Sequence, residues 1–210
     1  MTDLSKIANA IYDGEAGTVS ELTKAAIEEG MSATEILENG LMAGMNHVGK
    51  DFKDGELFVP EVLVASRAMR EGMEVLKPLL VTQKIKSPGK VVLGTVKGDL
   101  HDIGKSLVAI MLQGAGFEVI DLGVDVSKET FLQAIVDHQP VILGLSSLLT
   151  TTMVQMPEII EAVKTAGLRG KVKIMVGGAP LNADYAAKIG ADGYAQNSSI
   201  AVDLAKSLIS

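Results

Sequence analysis

The chain has 210 residues, 47% of them hydrophobic, with a net charge of −7, only 3% aromatics and no cysteine. That is enough apolar material for one large or two small domains. It excludes disulfides, thiolate zinc, iron–sulfur clusters and a cysteine nucleophile, and it opposes binding to phosphate backbones or stacked bases. No apolar stretch approaches the roughly 20 residues that span a bilayer. The first residues, Met1-Thr2-Asp3, lack the basic and apolar blocks of a secretory signal, so a cytoplasmic location is expected.

Apolar positions in residues 1 to about 85 recur at helical spacing throughout. Thr18–Glu21 and Ser32–Glu35 both fit a capping box and mark two helix starts. A third helix carries Leu41, Met45, Val48 and Phe52 on one face. A fourth begins near Pro60 and carries Val62, Ala65, Met69, Met73 and Leu76. Four such helices bury one another as a bundle. The polar stretch Gln83–Lys90, which contains Pro88-Gly89, ends this rhythm, and we expect the domain boundary there: a helical cap over 1–87 and a second domain over 88–210.

Beyond the boundary, short apolar runs alternate with helical patterns. The runs are Val91–Val96, Glu118–Leu122, Val141–Leu145, Val172–Val176 and Ala191–Tyr194. The helices between and after them are Gly104–Gly114, Lys128–His138, Met153–Ala166, Leu181–Ile189 and Ser199–Leu208. Five βα units with continuously apolar strands predict an α/β fold, a doubly wound parallel five-stranded sheet of the flavodoxin type. Ligands of such sheets bind outside the carboxyl ends of the strands, so the residues after each run carry the information.

Three of those places stand out. After the first strand, Gly98-Asp99-Leu100-His101-Asp102-Ile103-Gly104 sets a histidine between carboxylates on a glycine-bracketed loop. Such a histidine is either an ordinary hydrogen-bonding residue or a metal ligand whose second nitrogen donates to a carboxylate, for which Asp99 is the candidate. After the third strand, Ser146–Thr152 holds five hydroxyls among seven residues, more than capping the next helix requires. After the fourth comes Gly177-Gly178, either a tight turn or backbone against which a ligand can lie.

Together the motifs Asp99-x-His101-x-x-Gly104, Ser146-x-Leu148 and Gly177-Gly178 resemble the signature of the cobalamin-binding corrinoid proteins of anaerobic methyl transfer, which share their module with cobalamin-dependent methionine synthase. The resemblance covers nearly the whole chain. It implies a cobalamin or related corrinoid with His101 as lower ligand to cobalt, in place of the cofactor's own benzimidazole. Asp99 would bond the other imidazole nitrogen, and Thr152 would stand where the family commonly has serine. Ser146, Leu148 and Thr150 would line the slot for the displaced nucleotide tail, Gly177 and Gly178 would give it room, and Ala195 would join the same pocket. Gly98, Leu100, Asp102, Ile103 and Gly104 complete the loop on the cofactor.

Phe58, within Gly55–Glu61, would cover the methyl group or else pack in the bundle core. His47 and His138 are expected to take no part. The implied role is that of a methyl carrier rather than a complete enzyme. It would accept a methyl group on a substrate-specific corrinoid methyltransferase, deliver it on a corrinoid:folate or corrinoid:pterin methyltransferase, and be served by a reductive activator of cobalt(II).

The alternatives are an adenosylcobalamin-dependent mutase subunit, against which the helical cap argues, and a cobalamin-dependent sensor, which would need a DNA-reading element. A phosphate receiver of similar topology would want an aspartate where Ser146 stands.

Overall fold

The structure is a computed structural model and describes residues 3–83 and 87–210; Lys84-Ile85-Lys86 of the expected linker lie outside the described residues. The chain divides into two compact units, Met1–Ser87 with Gly114–Gly116, and Pro88–Gln113 with Phe117–Ser210.

The first unit is helical: α1 (Leu4–Tyr12), α2 (Ala16–Glu28), α3 (Ala33–Glu35), a π-helical segment (Ile36–Met42), α4 (Ala43–Asp54) and α5 (Val59–Thr82). Because α3, the π segment and α4 run on without a break, four rods result, as the periodicity predicts. Ile7, Ile11, Val19, Ile36, Leu41, Met45, Val48, Val62, Ala65 and Leu76 are buried among them. The Ser32–Glu35 capping box forms, with Glu35 N donating to Ser32 Oγ at 3.2 Å and Ser32 N to Glu35 Oε2 at 3.3 Å. The box expected at Thr18 does not. Gly14, at φ 73°, reverses the chain directly after α1, so α2 begins at Ala16, ahead of the hydroxyl. Pro60 is the second residue of α5, where its missing N–H costs nothing.

The second unit alternates strand and helix: β1 (Lys90–Thr95), α6 (Ile103–Gly114), β2 (Glu118–Asp121), α7 (Lys128–His138), β3 (Ile142–Ser146), α8 (Gln155–Thr165), β4 (Lys173–Gly177), α9 (Ala183–Ile189), β5 (Gly193–Ala195) and α10 (Ser198–Ile209). All strand pairs are parallel and the order is β2-β1-β3-β4-β5, the flavodoxin arrangement. Val92, Leu143, Leu145, Ile174 and Val176 meet Phe131, Ile135, Met156, Ile159 and Val163 of the helices in a buried core. Several boundaries differ from expectation. Side-chain caps decide one of them: Asn182 accepts from Tyr185 N, so α9 starts at Ala183 rather than Leu181.

Register matters more for the site. Thr95 stands opposite Ser146, Ser146 opposite Gly177, and Gly177 opposite Ala195, so four strand ends form one row along the carboxyl edge. The order reverses between β1 and β3, whose outgoing helices leave toward opposite faces. That opens a crevice between the two following loops.

Candidate cofactor site

The loop from β1 to α6 is tied down before its histidine is considered. Gly98, at φ 83°, turns the chain and donates its amide to Asp125 Oδ1 at 2.7 Å; Asp125 N returns a bond to the Asp99 carbonyl at 3.0 Å. Buried Thr95 donates its hydroxyl to the His101 carbonyl at 2.9 Å. These bonds turn Asp99 inward, to 0% exposure, and leave the His101 side chain 52% exposed.

The Asp99 carboxylate joins the two loops of the crevice. Its Oδ1 accepts from His101 Nδ1 at 2.7 Å and from His101 N at 3.1 Å. Its Oδ2 accepts from Thr152 Oγ1 at 2.7 Å and from Leu148 N at 2.8 Å, both on the loop after β3. Burial pushes the carboxyl's pKa up, but the bonds from Thr152 and His101 and the amides of Leu148 and His101 outweigh it and hold the group well below the usual carboxylate range. An ionised acceptor at Nδ1 fixes the proton there in the neutral imidazole. The Nε2 lone pair is therefore available, and among the described residues Nε2 has no hydrogen-bond partner.

The surroundings suit a large, mostly apolar ligand held by one nitrogen. Leu100 and Ile103 on the first loop are 71% and 78% exposed, and Leu148, Leu149 and Val154 after β3 are exposed as well. Gly104 has an ordinary φ, and a Cβ there would meet nothing within 4 Å. An alanine side chain would therefore fit there without strain. Asp102 and Thr150 are exposed, Ser146 is half-buried at its strand end, and Ala195 is buried.

Gly177 and Gly178 have a reason of their own. A Cβ on Gly178, at φ 135°, would lie 1.8 Å from the Ser147 carbonyl oxygen, and one on Gly177 would lie 3.1 Å from that of Ala195. Gly178 lets the end of β4 approach the loop after β3 closely and Gly177 sits tightly against β5, roles that the expectation of room for a ligand does not include.

Sequence reasoning passed over several residues. Ser147, 1% exposed, places its hydroxyl 2.8 Å from Thr152 Oγ1, which Ser146 does not do. Lys105, also buried, pairs with Asp121 at the end of β2. Thr95 and Asp125, which shape the histidine loop, stand in strand and turn positions that carry no motif.

Phe58, in the first unit, is 66% exposed and so is not part of the bundle core. His47 is 59% exposed, its Nε2 3.6 Å from Asp51 Oδ2 and its ring 4.7 Å from that of Tyr12. His138 ends α7, half-buried. Among the described residues there is no cluster of three or more His, Asp or Glu that could hold a metal ion. No helix there is long and apolar enough to cross a membrane.

Comparison with known proteins agrees with this chemistry. A family model described as a B12 binding domain matches residues 89–203, and a second of the same description matches residues 4–77. The chain is 44% identical to the trimethylamine corrinoid protein 1 of Methanosarcina acetivorans, over 98% of this chain and 96% of that one. It is also 44% identical to the dimethylamine corrinoid protein 1 of Methanosarcina mazei, over 100% and 99%.

Among solved structures, a cobalamin-binding protein from Desulfitobacterium hafniense matches with TM-score 0.81 and 33% identity, covering 99% of both chains. The methanol:cobalamin methyltransferase complex MtaBC of Methanosarcina barkeri matches with TM-score 0.88 and 33% identity, over 98% of this chain and 79% of that one. With B12 binding domain models matched along both units and 44% identity to named corrinoid proteins over nearly its whole length, the chain belongs to the family of corrinoid proteins built on B12 binding domains.

Proposed function

We propose that this chain is the methyl carrier of a corrinoid methyltransferase system, holding its corrinoid through His101 Nε2 and moving methyl groups between separate methyltransferases. The observation that carries the reading is the Asp99–His101 pair on the β1/β3 crevice, within a chain 44% identical along almost its whole length to named corrinoid proteins. The cobalt of the corrinoid, when bound, supplies the centre that takes up and hands on the methyl group.

The chain's own residues do the rest. Asp99 keeps the Nδ1 proton in place and so keeps Nε2 a donor. A proton reaching Nε2 would occupy the lone pair and release the ligand bond, and Asp99 would hold the resulting imidazolium. Thr152, together with the Leu148 amide, holds Asp99 in its ionised form. Leu100, Ile103, Leu148 and Thr150 line the bound cofactor, with Asp102 at the loop edge and Gly98 and Gly104 giving backbone access. Ser146, Gly177, Gly178 and Ala195, along one register row and just beyond it, receive the nucleotide tail.

Residues 1–87 form the cap in this reading, residues 88–210 bind the cofactor, and Phe58 is the aromatic that the cap offers to the methyl group. One partner is a substrate-specific methyltransferase, as the MtaBC match supports; the others are a folate- or pterin-directed methyltransferase and a reductive activator. Equal identity to trimethylamine and dimethylamine corrinoid proteins fits a division of labour in which the partner chooses the methyl donor. The chain acts in the cytoplasm.

The test is electron paramagnetic resonance of the cobalt(II) form after reconstitution. Nitrogen hyperfine splitting that changes with isotope-labelled histidine and disappears in His101→Ala is expected. Splitting from the cofactor's own base, unchanged by the label, would defeat the assignment.

A further inference from the structure

Ser147 stands where neither the motif nor the family match assigns a role, yet its hydroxyl is at the centre of the polar network behind the histidine. The proton count shows how it acts. The four close donors to Asp99 are His101 Nδ1, His101 N, Leu148 N and Thr152 Oγ1, at 2.7, 3.1, 2.8 and 2.7 Å, which fill about the four lone-pair sites of a carboxylate.

Ser147 Oγ lies 3.2 Å from both Asp99 Oδ2 and the Leu149 carbonyl, but only 2.8 Å from Thr152 Oγ1. Thr152 has a single hydroxyl proton and three acceptors in reach, Asp99 Oδ2 at 2.7 Å, Ser147 Oγ at 2.8 Å and the Leu149 carbonyl at 3.1 Å. The ionised carboxylate at 2.7 Å takes the Thr152 proton, which leaves Ser147 to donate across the 2.8 Å contact and so to polarise the Thr152 hydroxyl into a stronger donor to Asp99. Ser147 is itself held in place, since its amide donates to the Gly177 carbonyl at 3.2 Å and its carbonyl lies against Gly178.

We propose that Ser147 is a positioning residue for His101: by donating to Thr152 it strengthens the Thr152 hydrogen bond to Asp99, and so sets how strongly Asp99 draws on the Nδ1–H of His101. Chained hydrogen bonds polarise one another, so a carboxylate better served by Thr152 pulls less on the imidazole. Loss of the Ser147 hydroxyl removes that polarisation and leaves Thr152 a weaker donor to Asp99. Asp99 then takes a firmer hold of Nδ1–H, and Nε2 becomes the stronger donor. This deepens the reading of His101 as the cobalt ligand, but its first test does not depend on that reading.

The first test is nuclear magnetic resonance of the cofactor-free protein labelled with nitrogen-15 histidine, following the His101 Nδ1–H proton. Ser147→Ala should move it downfield and Ser147→Thr, which keeps the hydroxyl, should leave it near the parent position. In a Thr152→Val background, Ser147→Ala should add no further shift. A resonance unmoved by Ser147→Ala, an equal displacement in the threonine variant, or a full shift without Thr152 would each overturn the assignment.

The second test uses the reconstituted cobalt(II) protein, where Ser147→Ala should enlarge the histidine nitrogen coupling and make the cobalt(II)/cobalt(I) potential more negative, because a stronger axial donor favours the higher oxidation state. If the parent shows no histidine coupling while the proton resonance behaves as expected, the ligand reading falls and the role of Ser147 stands. If the resonance fails to move while the parent shows the coupling, the role of Ser147 falls and the ligand reading stands.

Discussion

An imidazole whose Nδ1 proton is held by a buried carboxylate has one nitrogen left to offer, which is why His101 differs from the other two histidines. His101→Ala should abolish histidine coordination and weaken corrinoid retention in titrations, whereas His47→Ala and His138→Ala should bind as the parent does. Asp99→Asn should lower affinity by about 10–100-fold, as changes behind a metal ligand do. An amide directed at Nδ1 presents N–H to N–H or gives up the donors on the other side. The same substitution should cost roughly 1–3 kcal/mol of stability by leaving buried donors unpaired.

That cost has a pH dependence. The folded carboxyl lies below its ordinary value of 3.8, so its contribution is complete above about pH 4 and is lost as pH falls through the lower folded value. Urea unfolding should show parent and Asp99→Asn converging below pH 4; a constant difference down to pH 2 would contradict the ionised network. At this scale the sequence was informative about His101 and Asp99, which share a local motif. It was silent about Ser147, because neighbouring hydroxyls at a strand end differ only in which one the turn brings inward.

Among the elements, two glycines of the motifs separate structural need from cofactor need. Gly178→Ala forces a Cβ into the Ser147 carbonyl at a positive φ, and should destabilise by at least about 2 kcal/mol in denaturant titrations without cofactor. Gly104→Ala meets open space at an ordinary φ. It should stabilise the cofactor-free protein by about 0.4–1 kcal/mol and yet weaken corrinoid binding. Weakened binding without corresponding loss of stability would mark Gly104 as a cofactor contact, and unchanged binding would remove it from the site.

Strands were readable because apolar runs covered on both faces leave little else for them to be, and the Ser32–Glu35 box was readable because its partners lie within one turn. The Thr18 box misled for the same reason. A local pattern cannot register that Gly14 has already turned the chain and started the helix. The π segment at Ile36–Met42 has no signal in a periodicity that tolerates a one-residue slip.

Over the whole molecule, the hydrogen bonds around His101 all fall within the second unit, and so do its motifs. Residues 88–210 produced alone should therefore fold and take up a corrinoid with a histidine nitrogen on cobalt. Circular dichroism and the cobalt(II) spectrum would check both halves of that expectation. A folded fragment that cannot retain the cofactor would move part of the binding surface to residues 1–87. The division into two compact units was visible in the sequence as a change of rhythm near Pro88. The choice of methyl donor was not, since nothing in the His101 loop or the Ser147–Thr152 loop distinguishes one small methylated substrate from another.

Asp99 and Thr152 are 53 residues apart in the chain and meet only because β1 and β3 are neighbours. A chain emerging from the ribosome therefore displays the histidine motif long before it can use it. Until β3 has docked, and β4 behind it has closed on Ser147, Asp99 lacks the donors of Leu148 and Thr152 that hold it in place behind the imidazole. On the proposed reading, capture of a corrinoid through His101 would wait on assembly of the sheet, and a half-folded chain would be passed over at loading.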